Sequence, residues 1–129
     1  MSRQETALES LLDFGSAGLG LIPVVAQDRL SREVLIVAFV NQAALAETRR
    51  SGLATFWSRS RQALWSKGET SGNRLRIQEI RLNCEQNSLL FLVDLEGDGA
   101  CHALRANGKP HFSCYYRRLN SDDSLTIID

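Results

Sequence analysis

At 129 residues the chain has room for one hydrophobic core but not for two. Its 15 basic and 15 acidic side chains cancel, which excludes attraction of the whole molecule to nucleic acid or an anionic membrane and leaves anion binding to local charge. The hydrophobic share of 43% is ordinary for a globular fold, and the longest clean apolar run, Val34–Val40, falls far short of the ~20 residues that span a bilayer.

The chain opens Met1-Ser2-Arg3-Gln4-Glu5, without the apolar stretch of a secretory leader, so a cytoplasmic location is expected. Ala7, Leu8, Leu11, Leu12 and Phe14 recur at helical spacing and predict an N-terminal helix over residues 6–14, followed by a glycine-bearing loop at 15–20. Residues 21–26 and Val34–Val40 are apolar and rich in β-branched side chains. The polar stretch 27–33 between them predicts a hairpin of two buried strands. Asn41 is a natural N-cap for a short helix at 42–50, which Gly52 ends. Residues 55–57 read as a brief strand. Residues 58–73 are polar and basic without useful periodicity, and a loop of that length in so small a domain points to function.

Residues 75–82 read as an extended strand of mixed pattern. Leu75, Ile77, Glu79 and Arg81 fall on one side, Arg76, Gln78, Ile80 and Leu82 on the other. Residues 89–93 form another strand, 97–99 a turn, 101–104 the start of a short helix, and 112–119 a further extended stretch. The polar tail 120–129 receives no role. The expected fold class is α+β, dominated by strands, in a single domain over residues 1–129.

Cys84, Cys101 and Cys114 are an odd number of thiols, so they cannot all pair within one chain. A reducing compartment disfavours disulfides in any case. Buried packing thiols, a reactive thiol and metal ligands all remain open on this ground alone.

Several stretches in order carry a resemblance. They are Gly20-Leu-Ile-Pro-Val-Val-Ala-Gln-Asp28, Glu33-Val-Leu with Phe39-Val-Asn41, Trp57-Ser-Arg-Ser-Arg61, Leu64-Trp-Ser-Lys-Gly-Glu-Thr-Ser-Gly-Asn73 and Cys101-His102. Over roughly residues 18–119 the chain resembles the phosphoribosyl-AMP cyclohydrolase family of histidine biosynthesis. The resemblance implies a homodimer whose subunits share zinc sites made of Cys84, Cys101 and Cys114, and hydrolysis of the N1–C6 bond of the adenine ring in phosphoribosyl-AMP. It also implies use of Mg²⁺.

Three thiolates with an open fourth position describe a catalytic zinc site. Their charge leaves the centre a weaker Lewis acid than one held by neutral imidazoles, so a separate base is useful. His102, beside Cys101, is the candidate acid or base. Arg59, Arg61, Lys67, Glu69, Thr70, Ser71 and Gly72 combine basic groups, hydroxyls and glycine-freed amides suited to phosphate and ribose. Trp57 and Trp65 either stack on the purine or fill the core. His111 reads as a surface residue.

Two departures stand out. Where the family pattern runs Asp-Cys-Asp-any-Asp, this chain has Asn83-Cys84-Glu85-Gln86-Asn87. If that stretch is extended, positions 83, 85 and 87 share one face, which keeps one carboxylate in place of three, a weakened magnesium site. Cys101 and Cys114 also lie further apart than in the family pattern, with residues 105–110 as an inserted loop. Even a doubled loop costs only about 0.6 kcal/mol to close. These departures leave three readings: the family reaction, a repurposed relative that hydrolyses another nucleotide-like ring without tightly held Mg²⁺, and a non-catalytic zinc-binding dimer.

Overall fold

The computed structural model describes Phe14 and residues 20–129. The expected helix at 6–14 and loop at 15–20 therefore lie outside the described residues, except for Phe14 and Gly20. β1 (Ile22–Asp28) and β2 (Val34–Val40) form the expected antiparallel hairpin. β6 (Leu89–Glu96) lies parallel to β1 on its other side, and β5 (Arg74–Leu82) closes the sheet antiparallel to β6, giving the order β2-β1-β6-β5. Period-two alternation turns Ile22, Val24 and Ala26 to one face, and Leu89 and Phe91 extend the rows of Val24 and Ala26 into the same core.

The helix α1 (Gln42–Ser51) covers that face. Asn41 Oδ1 accepts the Ala44 N–H at 2.8 Å, and the Gly52 N–H donates to the Thr48 carbonyl, as the capping residues predict. Ala44, Leu45 and Thr48 form its buried stripe. Thr48 fastens the helix to β3 (Thr55–Ser58): its Oγ1 donates to the Ala44 carbonyl and accepts the Thr55 N–H, each at 2.9 Å. Phe56, fully buried, meets the Trp65 ring at 5.2 Å and the Phe91 ring at 6.2 Å.

Several expectations need correction. The stretch 58–73 is not one loop, because β4 (Ala63–Ser66) folds back on β3, pairing Phe56 with Trp65 and Thr55 with Ser66. The mixed pattern of β5 has a physical cause. Its register shifts between Ile77 and Glu79, so Gln78 bulges out of the ladder and the alternation changes phase. Leu75, Ile77, Ile80 and Leu82 then all pack on the core. No helix starts at 101–104; the chain bends at His102 and Ala103, and Leu104 bridges Pro110 across the inserted turn. Of residues 112–119 only Arg117–Leu119 forms a strand, β7. Part of the tail is structured, because β8 (Leu125–Ile127) pairs with β7. No helix among the described residues is long and apolar enough to cross a membrane.

Candidate active site

Two of the three cysteines meet inside one chain. Cys101 is buried and Cys114 half-buried, and their side chains are close enough to share a hydrogen bond. Burial first, and then the neighbouring Cys101, push the Cys114 thiol up to about 11; the positive charge of Lys67 pulls the other way. Lys67 is 9% exposed, so a cation is sealed in beside the pair. Its N–H donates to the Ala54 carbonyl at 3.0 Å, which fixes the end of β4 against the core.

Backbone geometry builds this corner. Ala100 and Cys101 donate their N–H groups to the carbonyls of Phe112 and His111, at 3.0 and 3.1 Å. Gly99 permits that crossing: a Cβ there would sit 2.4 Å from the His111 carbonyl oxygen. On the far side, the Cys114 N–H donates to the Leu35 carbonyl at 2.8 Å and Ser113 Oγ to the Val34 carbonyl at 2.5 Å, docking the pair on the open edge of β2.

Cys84 lies elsewhere. It is exposed, in the turn that joins β5 to β6. β5 and β2 are opposite edges of the sheet, and three strand spacings of ~4.8 Å put Cys84 on the order of 14 Å from the pair. Among the described residues, no group of three or more His, Cys, Asp or Glu side chains gathers within one chain. Sulfurs on one zinc, each about 2.3 Å from the metal, must lie far closer together than that. The pair thus fits a thiolate-bound metal as a half site, open to a third ligand from outside the chain.

Residues 83–88 are a tight turn, which corrects the extended reading of this stretch. Asn83 Oδ1 accepts the N–H groups of Asn87 and Ser88 at 2.9 and 3.0 Å, and Asn83 Nδ2 donates to Asn87 Oδ1 at 2.6 Å. Both amide oxygens are thus engaged within the turn, leaving Glu85 as the free carboxylate. Mg²⁺ requires several hard oxygens in near-octahedral array, and these residues do not fit it.

Along β2, immediately after Leu35, runs a groove of about 550 Å³ lined by Ile36, Phe39, Trp57, Arg59, Ser60 and Trp65 among others. The Arg59 guanidinium lies 4.1 Å over the Phe39 ring. Trp57 is half-buried in the groove wall, whereas Trp65 also packs on the core. The Cys114 N–H is held by Leu35, the chain neighbour of Ile36 in the groove lining, and the groove itself has aromatic walls and a cation.

The loop after Lys67 turns sharply. Gly68 has φ +81°, and a Cβ on it would lie 2.3 Å from the Asn73 carbonyl. Glu69 accepts the Ser66 N–H at 3.4 Å, while Thr70, Ser71 and Gly72 are exposed at the loop tip. Arg61 is exposed near the β3–β4 turn, where its N–H donates to Ser58 Oγ at 3.2 Å. His102 is exposed directly beside Cys101. His111, expected at the surface, is 4% exposed and stacked 3.6 Å from the Tyr116 ring. Neither the burial of Lys67 nor that of His111 was readable from local sequence, because both depend on chain crossings made far away in the fold.

Comparison with known proteins gives the context. A sequence profile of the phosphoribosyl-AMP cyclohydrolase family matches residues 36–116. The chain is 48% identical over 104 residues to a phosphoribosyl-AMP cyclohydrolase of Archaeoglobus fulgidus, covering 81% of this chain and 90% of that protein. It is 44% identical over 118 residues to the one of Desulforapulum autotrophicum (92% and 89% covered) and 47% identical over 117 residues to that of Methanosarcina barkeri (89% and 85% covered). Similarity at this level across nearly the whole length places the protein among enzymes, as a hydrolase acting on a cyclic amidine. The chain belongs to the phosphoribosyl-AMP cyclohydrolase family.

Proposed function

We propose that this protein opens the purine ring of phosphoribosyl-AMP in histidine biosynthesis, adding water across N1–C6 so that oxygen ends on C6 and a proton on N1. The observation that carries this reading is the Cys101–Cys114 pair flanked by the buried Lys67, on a chain whose β2 edge holds the Cys114 N–H beside the start of the groove. Zinc bound by Cys101 and Cys114, with Cys84 of a second copy as third ligand, would supply an activated water and a Lewis acid. A homodimer is part of the same proposal, supported by the exposed Cys84 lying too far from the pair of its own chain to share one metal with it.

The chain's own groups do the rest. Lys67 offsets the negative charge of clustered thiolates. His102, solvent-accessible beside Cys101, takes the proton from water or delivers it to the leaving nitrogen. Trp57 and Arg59 receive the purine face in the groove. Arg61 with the 69–72 tip (Glu69, Thr70, Ser71, Gly72) takes the phosphate and ribose.

Purified protein loaded with zinc and given phosphoribosyl-AMP should show the ultraviolet change of ring opening, and metal analysis should return about one zinc per chain. Absence of turnover at every Mg²⁺ or Mn²⁺ concentration would reject this substrate. It would favour the second reading, hydrolysis of a related nucleotide-like ring, which the self-bonded Asn83–Asn87 turn supports.

A further inference from the structure

The segment beyond the family match contains a device aimed at the sulfur pair. Asp129 Oδ1 lies 2.7 Å from His111 Nδ1, and Asp129 Oδ2 accepts the Phe112 N–H at 3.0 Å. His111 and Phe112 are the same two residues whose carbonyls hold Cys101 and Ala100. The His111 N–H in turn donates to the Ala103 carbonyl at 3.0 Å, so the backbone bonds bracket Cys101 on both sides. The β7–β8 hairpin brings Asp129 to this point, and the Ile128 N–H donates to the Tyr116 carbonyl at 2.9 Å. Tyr116, stacked flat on His111 with an interplanar angle of 10°, fills the space between.

We propose that Asp129 is a positioning residue for the metal site, clamping His111 and Phe112 so that Cys101 stays in register with Cys114. The proposal rests on the zinc reading above for its consequence, though not for its geometry. Its physical reason is the long connection between the two cysteines. The turn at 105–110 separates residue 101 from 114 in the chain, so their register rests on the backbone bonds between 100–103 and 111–112, which the Leu104–Pro110 bridge and the Arg105 N–H bond to the Lys109 carbonyl continue into the turn. One carboxylate that grips a buried imidazole and the adjoining backbone N–H fixes the strand next to the ligand. Groups that orient metal ligands from outside the coordination sphere commonly change affinity or activity by about 10–100-fold when removed. Arg105, whose charge favours the ionised Asp129, sits on the same side and lines a hollow of about 430 Å³ with Leu104, Ile127 and Asp129.

The test compares wild type, Asp129→Ala, Asp129→Glu and a hairpin control, Thr126→Ala, which loses the Asn120 Nδ2 bond to Thr126 Oγ1 but not the clamp. Zinc transfer from the purified protein to a chromogenic chelator should be at least tenfold faster in Asp129→Ala, partly restored in Asp129→Glu and unchanged in Thr126→Ala. The cobalt-substituted protein should show altered visible bands in Asp129→Ala, and kcat should fall roughly tenfold with KM held. Modification of Cys101 by an aromatic disulfide, followed by peptide mass spectrometry, should also speed up in Asp129→Ala, relative to Cys84 in the same sample. Wild-type rates and spectra in Asp129→Ala would overturn the proposal, as would a Thr126→Ala variant that behaves like it. A wild type that takes up neither zinc nor cobalt, while Cys101 still reacts faster in Asp129→Ala, would sink the zinc reading and leave the clamp standing.

Discussion

Thr48 shows how one hydroxyl can couple a helix to the site. It is fully buried and closes bonds to α1 and β3, the strand that leads into the groove. Thr48→Val keeps the shape but strands the Thr55 N–H, and should lower stability by about 1–3 kcal/mol in denaturant unfolding while leaving KM unchanged. His102 has the opposite profile. It is exposed and no part of the core, so His102→Ala should keep its zinc and its stability but slow turnover about 10²-fold. Unchanged turnover would remove it from the mechanism. Lys67 combines both characters, being a buried cation on a residue that the sequence pattern places only in a polar loop.

At the scale of elements, the turn between β5 and β6 and the C-terminal hairpin carry the features that set this chain apart. In the first, paired amides close the turn that the family pattern fills with carboxylates. Substituting Asp at 83, 85 and 87 together should raise Mg²⁺ affinity measured by calorimetry; equal affinity would mean that the cation binds elsewhere. In the second, burial tends to raise the Asp129 pKa, but the hydrogen bond with His111, the Phe112 N–H and the charges of His111 and Arg105 outweigh it and hold the carboxyl below its usual 3.8. Because the folded value is the lower one, the stabilising contribution is complete above the ordinary carboxylate range and is lost as pH falls through the lowered value. Amide exchange at Phe112 should therefore accelerate in acid below about pH 4, corrected for the intrinsic rate, and Asp129→Asn should abolish that added pH dependence.

For the whole molecule, the sheet geometry makes a sharp prediction. With Cys84 at one edge and Cys101–Cys114 at the other, the proposed zinc site needs two copies. Cys84→Ala and Cys101→Ala should each lose zinc and activity alone. Mixed and reassembled one to one, random pairing makes half of the dimers mixed, each with one intact site of two, so about a quarter of the sites should return. No recovery after exchange of subunits, shown by mass spectrometry, would mean that the metal is not shared.

Much of the fold was legible in the sequence by itself: the β1–β2 hairpin, both caps of α1, the strands β5 and β6, and the family, all of which rest on local periodicity, capping chemistry or ordered motifs. The tertiary structure decided the rest. A bulge at Gln78 reversed the facing of half a strand, and alternation alone cannot reveal a bulge, because it depends on the partner strand's register. β4 stayed hidden because Leu64 and Trp65 gain their order from β3 and Phe56, not from their own pattern. The burial of Lys67 and His111, the nearness of Cys101 to Cys114 and the remoteness of Cys84 arise where distant segments cross. Sequence fixes which groups are available, but only the packing of the sheet sets which of them stand within reach of one another.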